Sequence, residues 1–389
     1  MNKRILVSLS LLGLTAVISL IMFSLLHRSR VKVGIKSSSP LPSVTVASNG
    51  ASGEEIAKYI MPPEEALHEG TWLQWPHNYG YDYKHIQRYE ATWVQMTREL
   101  SHGENVHIIA YDEEEERRIT VLLENDAQVN MDRISFLIAK TDDVWIRDNG
   151  PIFVRDVQEP SQLAVQNWLF NGWGEKADYH FCNEIPKQVG AHLNLPVIDI
   201  NMVNEGGSIE LDGKGTLMAK KSSILNNNRN PGWSQDDAEA YFRYYLGVTN
   251  FIWLDGVKGQ DVTDDHIDGT ARFVKNGTTI VTFHPFDSTS RKEHDILKNA
   301  KDVNGKNYKI VYLPLTSKKL RWLGDWGTYI NFYVANEVVL VPKYGDKNDR
   351  AAQEILEKLF PERRVVGVDA LELAIDGGMI HCVTQQQPI

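Results

Sequence analysis

Cysteine is scarce: the 389 residues contain two, Cys182 and Cys382. Two cysteines cannot build a disulfide framework, and a single Cys182–Cys382 bridge is the most they allow. No CxxC pair or Cys/His cluster has zinc-ligand spacing, and no GxSxG elbow marks a serine acyl-transfer site. No low-complexity tract is long enough to matter. Positive charge is also short: 41 Lys and Arg face 51 Asp and Glu, a formal net charge of −10. The first 36 residues hold six of those basic residues and no acid, so the remainder stands at −16 (35 basic against 51 acidic). An acidic body argues against nucleic acid as a partner. It suits a cationic substrate only weakly, because most acids on any protein are solvated surface. What is present is the profile of a folded globular chain, with 42% hydrophobic and 24% charged residues and 10 Trp and 15 Tyr to fill a core.

Ile5 to Leu26 carries no charge, follows Lys3 and Arg4, and precedes His27, Arg28, Arg30 and Lys32. The stretch is longer than the apolar region of a signal peptide and lacks small residues behind it; its length suits a spanning helix. Residues 1–36 therefore read as a hydrophobic anchor, with a cleaved signal for export as the alternative. Basic residues on both flanks leave the orientation open. Residues 37–55 are rich in Ser, Pro and Gly and read as a flexible linker. Residues 56–389 form the expected catalytic domain.

Within that domain, hydrophobic period and turn residues predict a repeating order of hairpin, helix and strand. A short strand at Trp72–Trp75 precedes a helix at His85–His102 and a strand at Asn105–Tyr111. A hairpin of Pro151–Arg155 and Leu163–Phe170 is followed by a helix near Glu184–Leu193 and a strand at Val197–Met202. Asp212-Gly213 turns Ser208–Leu211 into Thr216–Lys220; Ser234 caps a helix running to Leu246, and Asn250–Leu254 is a strand. Asn276-Gly277 joins Arg272–Val274 to Thr279–Phe283, before a helix near Arg291–Lys301 and a strand at Lys309–Leu313. Tyr329–Val334 and Val338–Val341 precede a helix at Arg350–Leu359 and a strand at Arg364–Val368. About five such units imply an α/β fold of circular architecture, each unit covering its neighbour's open face.

The unusual polar segments fall between these units. Trp145, Arg147 and Asp148 lie before the second, Glu205 with Gly206-Gly207 before the third, and His266 with Asp268 before the fourth; His381-Cys382 follows the last strand. Equivalent positions in a circular repeat converge on one end of its axis, and polar loops on rigid strands are where function concentrates. A lone Cys is most often a small buried hydrophobe. With a His and three carboxylates in matching loops, Cys382 instead completes a nucleophile–base set. His266 and Asp268 are two residues apart, so extended backbone points both to one side. His381 adjoins Cys382 and by the same rule faces away, which makes His266 the preferred acid/base. Asp148 beside Arg147 also suits a local salt bridge, and Glu205 also suits a turn. A planar cationic guanidinium pairs with carboxylates in bidentate fashion, so the set suits attack by sulfur on its central carbon.

The sequence resembles the agmatine deiminase and bacterial (Porphyromonas-type) peptidylarginine deiminase family of the guanidino-group-modifying superfamily. The resemblance runs from about Met61 to the C-terminus. It is carried by MPPEEALHEGTWLQWPHN from Met61, DDVWIRDNGPIFV from Asp142, FNGWGEK from Phe170, NEGGSIE from Asn204, DDHIDGTARF from Asp264, YINFYVANEVVLVPKYGDKNDRAA from Tyr329 and GGMIHCVTQQQP from Gly377. It implies a pentein, a five-bladed α/β propeller of ββαβ repeats with pseudo-fivefold symmetry. It also implies Cys382 as nucleophile, His266 as acid/base, Asp148 and Asp268 as guanidinium clamps, and Glu205 as the residue orienting His266. Trp145 would wall the substrate channel, Asn331 matches an Asn beside the site in relatives, and Arg147 joins them as a substrate-binding candidate.

The implied reaction is hydrolytic deimination through a covalent thiouronium, with no metal, nucleotide or organic cofactor. Agmatine giving N-carbamoylputrescine and ammonia is the first expectation, and peptidyl or free arginine giving citrulline the second. A membrane-tethered binding module without catalysis is the third. Relatives further suggest a homodimer. The chain departs from the pattern at Asp376, where many relatives have a third Gly, and at Gly327-Thr328, where Ala-Ser is common. Asp376 lies in the cysteine loop.

Overall fold

Local turn and cap chemistry sets the elements of the computed structural model, which describes residues 57–78, 83–321 and 325–389. The expected anchor over 1–36 and the linker over 37–55 lie outside the described residues. Among the described residues no helix is long and apolar enough to cross a membrane.

The segment from Ile209 to Leu254 shows how one unit is made. Asp212 Oδ1 accepts hydrogen bonds from the backbone N–H groups of Lys214 and Thr216, and Gly213 takes the left-handed φ of 69° that the turn needs. Ile209–Leu211 and Thr216–Lys220 thus pair antiparallel. Ser234 and Asp237 form a reciprocal capping box for the helix Gln235–Leu246, and Gly247 ends it at φ 74°. The helix carries the chain across so that Asn250–Leu254 lies parallel to Thr216–Lys220, as a parallel pair requires a crossover.

The order recurs. Ile152–Asp156 pairs antiparallel with Leu163–Leu169, and Val197–Val203 follows in parallel after the helix Ile185–His192. Arg272–Val274 and Thr279–Phe283 precede the helix Ser288–Asn299 and the parallel strand Lys309–Leu313. Tyr333–Val334 and Val338–Lys343 precede the helix Asp349–Leu359 and the parallel strand Arg364–Asp369. In the first unit, His68–Gln74 leads through the helix Tyr83–Leu100 to the parallel strand Asn105–Ala110. Its antiparallel partner is Gln385–Pro388 from the far end of the chain. The helix Asp349–Leu359 packs on its sheet, and the central strand Val338–Lys343 is accordingly apolar without alternation. The largest apolar cluster takes in Trp75, Trp93, Met96, Val339 and Leu356, all at 1% exposure or less.

Three expectations change. The charged run after Tyr111 carries no expected element, yet Glu113–Glu124 is a helix. Asp112 caps it by accepting from the N–H groups of Glu114 and Glu115, its first turn of Glu suits the positive helix end, and Ile119 and Leu123 are buried. The strand Ile134–Ile138 follows and extends the first sheet. The strand expected at Tyr329–Val334 is reduced to Tyr333–Val334, because the Asn331 carbonyl leaves the ladder to accept from His381 N–H.

The strand at 385–388 ties the two chain ends together. Trp72 Nε1 donates to Gln387 Oε1 at 2.8 Å, Arg147 Nη1 to Gln386 Oε1 at 2.8 Å, and Gln385 Nε2 to the Pro151 carbonyl at 2.7 Å. Deleting residues 385–389 leaves two buried donors and a sheet edge unpaired. We expect the deletion to lower unfolding free energy by at least about 3 kcal/mol in urea titrations; a loss below about 1 kcal/mol would contradict this account.

Candidate active site

Asp148 is placed by a four-residue helix, Ile146–Asn149. Asp143 Oδ1 holds its start, accepting from Trp145 N–H at 2.8 Å and Asn149 Nδ2 at 3.1 Å. Asp148 then accepts from Gly207 N–H at 3.0 Å through Oδ1 and from Trp173 Nε1 at 2.9 Å through Oδ2. Burial, with the Asp268 and Glu205 carboxylates near it, pushes Asp148 up to about 6 against the pull of His266.

Glu205 enters the short turn Gly206–Ser208. Its Oε1 is held by Arg229 Nε at 2.6 Å, and its Oε2 lies 3.0 Å from His266 Nε2. The other ring nitrogen, Nδ1, is 3.6 Å from Asp148 Oδ1. Burial opposes charge on His266, but Asp148, Glu205 and Asp268 outweigh it and raise the imidazole to about 9. Gly207 makes this approach feasible. A methyl group on it would lie 2.7 Å from both Asp148 Oδ1 and His266 Nδ1 and 3.0 Å from Asp268 Oδ2. The missing side chain at Gly207 thus leaves the space in which three of the expected site residues approach one another.

Cys382 lies in a tight turn, His381–Val383, rather than in a strand. Asn331 Nδ2 donates to its Sγ at 3.2 Å, and Asp268 Oδ2 is 3.7 Å from the sulfur. Burial, then Asp268 and Asp148, push the thiol well above its ordinary value. Trp145 packs on the same loop, for a side chain on Gly378 would lie 2.3 Å from Trp145 Cζ3. Tyr89 Oη donates to Asp376, tying the position that departs from the family pattern to the helix Tyr83–Leu100. A cavity of about 300 Å³ reaches Cys382, His266, Asp268 and Asn331. Asp261, Asp265, Asp325, Phe283, Phe286 and Trp326 also line it, and among the described residues its wall has no Lys or Arg.

Three readings are corrected, the third being the expectation that His381 faces away. Arg147 does not face the cavity: its guanidinium donates to Gln386 Oε1, to Glu64 Oε2 and to the His381 carbonyl, all inside the protein. A Cys182–Cys382 bridge is ruled out in the structure, where both thiols are free; Cys182 is fully buried and accepts from Asp142 N–H at 3.2 Å. The structure also adds residues that spacing did not single out. His381 does not face away; Nδ1 is 2.8 Å from Asp268 Oδ2 and Nε2 is 2.8 Å from Glu64 Oε2. Glu64 is further paired with Arg272 Nη2 at 2.8 Å. Trp173 reaches Asp148 from a left-handed backbone, φ 55°, for which its glycine neighbours were the only available signal.

With this geometry in place, the family can be stated. The chain belongs to the Porphyromonas-type peptidyl-arginine deiminases, whose family model matches residues 60–388. It is 31% identical over 363 residues to the agmatine deiminase of Stutzerimonas stutzeri (strain A1501), covering 85% of this chain and 95% of that one. A cysteine-to-serine variant of the C. jejuni agmatine deiminase with substrate bound is similar in structure at a TM-score of 0.74 and 26% identity, over 85% of this chain and 96% of that chain. The agmatine deiminase of Enterococcus faecalis shares the fold, with a TM-score of 0.76 at 24% identity over 88% of this chain and 99% of that chain.

Glu205→Gln removes a charge from the imidazole while keeping its shape. We expect the His266 pKa, read by NMR titration, to fall from about 9 by at least about one unit. An unchanged value would show that Glu205 is not what holds the proton.

Proposed function

We propose that the chain is a hydrolase that deiminates a guanidinium group, with agmatine as its substrate. The observation that carries this reading is the meeting of a thiol, a raised imidazole and a buried carboxylate, Asp268, at one cavity, with the buried Asp148 3.6 Å behind the imidazole. The similarity to agmatine deiminases supports it. Five of the six sheets, read as blades around one axis, account for the meeting of loops from separate units there.

Asp148 and Asp268 hold the planar cation by charge-assisted hydrogen bonds. The free enzyme carries Cys382 as a neutral thiol and His266 as an imidazolium. Arrival of the guanidinium places positive charge beside Sγ, lowers the thiol's pKa, and releases its proton to solvent. The thiolate adds to the central carbon and forms an S–C bond. His266 gives its proton to the departing nitrogen, the C–N bond breaks, and ammonia leaves a thiouronium on Cys382. Neutral His266 then takes a proton from water. The hydroxide adds to the same carbon, the S–C bond breaks, the hydroxyl proton passes to the departing thiolate, and the ureido product and the free Cys382 thiol form. The sum is guanidinium plus water giving urea derivative plus ammonium.

The wall chemistry bears on the far end of the substrate. Acids without a Lys or Arg suit a tail ending in an ammonium, as in agmatine, over one ending in the carboxylate of free arginine. Conversion of peptidyl-arginine to citrulline is the second reading, favoured by the description of the matching family. Ammonia release from agmatine, arginine and an arginyl peptide, assayed side by side, decides among them. Faster turnover of the peptide than of agmatine would overturn the first choice.

Cys382→Ala should abolish ammonia release and selective labelling by a haloamidine while the protein stays folded; residual turnover above about a thousandth of the original contradicts the nucleophile assignment. The pH dependence follows from the shifts. Asp148 must be ionised to hold the cation, so kcat/KM rises through about 6. His266 must be protonated to expel ammonia, so kcat/KM falls through about 9. Asp148→Asn should remove the lower limb and raise KM at least about tenfold; a lower limb that persists in this variant would assign it to another group.

A further inference from the structure

Asp268 is gripped from behind by a second histidine. His381 Nδ1 lies 2.8 Å from Asp268 Oδ2 and Nε2 lies 2.8 Å from Glu64 Oε2. A carboxylate accepts and does not donate, so each contact requires a proton on the ring nitrogen. An imidazole protonated at both nitrogens is a cation. The ring is 2% exposed and its backbone is fixed on both sides. His381 N–H donates to Asn331 Oδ1 at 3.0 Å, and the His381 carbonyl accepts from Arg147 Nε at 3.3 Å and Thr384 Oγ1 at 3.0 Å. Glu64 is fixed in turn by Arg272 Nη2 at 2.8 Å and Arg147 Nη2 at 3.3 Å, and Arg272 Nε is held by Glu210 at 2.8 Å. His381 does not line the cavity that reaches Cys382, and both its ring nitrogens are taken up by Asp268 and Glu64.

We propose that His381 is a positioning residue: an imidazolium locked between Asp268 and Glu64 that keeps Asp268 ionised and fixed for the guanidinium. Its effect on turnover rests on the deiminase reading above; its protonation does not. The groups facing Asp268 are His381, His266, Asp148, Arg272 and the Cys382 thiol, and those facing His381 are Asp268 and Glu64, with Glu210 beyond. Burial raises Asp268, but the bond and charge of His381, with His266 and Arg272, bring it below the ordinary carboxylate value. Burial likewise opposes ionisation of Glu64, and Arg272, His381 and Arg147 outweigh it. The chain of charge thus alternates in sign from Asp268 through His381 and Glu64 to Arg272. Without the imidazolium, Asp268 faces the Cys382 sulfur as a buried carboxylate with one fewer cation, and it takes up a proton at higher pH.

The test has two arms. In the first, the whole protein is labelled with 15N-histidine, and His381→Gln assigns the His381 ring signals by their loss. Two protonated ring nitrogens at pH 6 to 8 support the proposal; a singly protonated ring at pH 7 overturns it. This arm needs no turnover, so it stands or falls apart from the deiminase reading. In the second, His381→Gln keeps an N–H donor near Asp268 but carries no charge. Asp268, left without that cation, should take over from Asp148 the lower limb of the kcat/KM profile for agmatine and move it up from about 6 by about one unit, with a loss at pH 7 of about twofold, mostly in KM, and recovery at higher pH. A variant that loses kcat with its profile unmoved shows a merely structural role and overturns the proposal. If His381→Gln does not fold, the first arm decides, with the His381 signals assigned in Glu64→Gln by the shift at Nε2.

Discussion

His266 stands among Asp148, Glu205 and Asp268, and this gathering of acid around one imidazole is the constraint to which the rest of the structure answers. A buried carboxylate loses its water and must find a cation or donors in exchange. Glu205 finds Arg229 at 2.6 Å, and Asp268 finds His381 at 2.8 Å. Asp148 receives only neutral N–H donors, from Gly207 and Trp173, and lies 3.6 Å from the His266 ring that Glu205 also claims. It is therefore the carboxylate raised to about 6, while Asp268 is lowered. The site carries negative charge matched incompletely by its own residues, which is the condition a cationic substrate relieves.

Holding that charge in place requires rigidity from distant parts of the chain. Asp148, Glu205 and His266 come from turns at the entrances of separate units, and Cys382 comes from beyond the last. Each turn is fixed by contacts to another. Gly206 lies so near the Arg147 carbonyl that a methyl group on it would meet that oxygen at 2.1 Å. Arg147 reaches the carbonyl of His381, and Asn331 receives the N–H of the same residue. The first sheet is completed only when Gln385–Pro388 adds to His68–Gln74, so a structural strand begins two residues after the turn that holds Cys382. Positioning the sulfur and closing the fold are the same event.

How much of this the sequence discloses depends on the range of the interaction. Asp212-Gly213, Asn276-Gly277 and the Ser234 cap act within a few residues, and their hairpins and helix appear where the residues predict them. Gln385–Pro388 has no apolar alternation, and the partner that makes it a strand is more than 300 residues away. The same limit governs the site. Asp148, Glu205, His266, Asp268 and Cys382 stand out by their glycine-flanked loops. The direction of a side chain is not local, and Arg147 turns inward because Glu64 and Gln386 wait there. Strand alternation turns His381 away from Cys382, but the turn at His381–Val383 lets both approach Asp268.

The raised thiol gives the arrangement its economy. A low-pKa thiolate standing open to solvent invites oxidation whether or not substrate is present. Here burial and the carboxylates of Asp268 and Asp148 disfavour the thiolate, so the acids proposed above to hold a guanidinium keep the sulfur quiet without one. In that proposal, docking a cation between Asp148 and Asp268 offsets their charge and frees the nucleophile at the moment its target is beside it. Recognition and activation then depend on one electrostatic change. A neutral isostere of the substrate that filled the cavity would leave Cys382 protonated and unreactive.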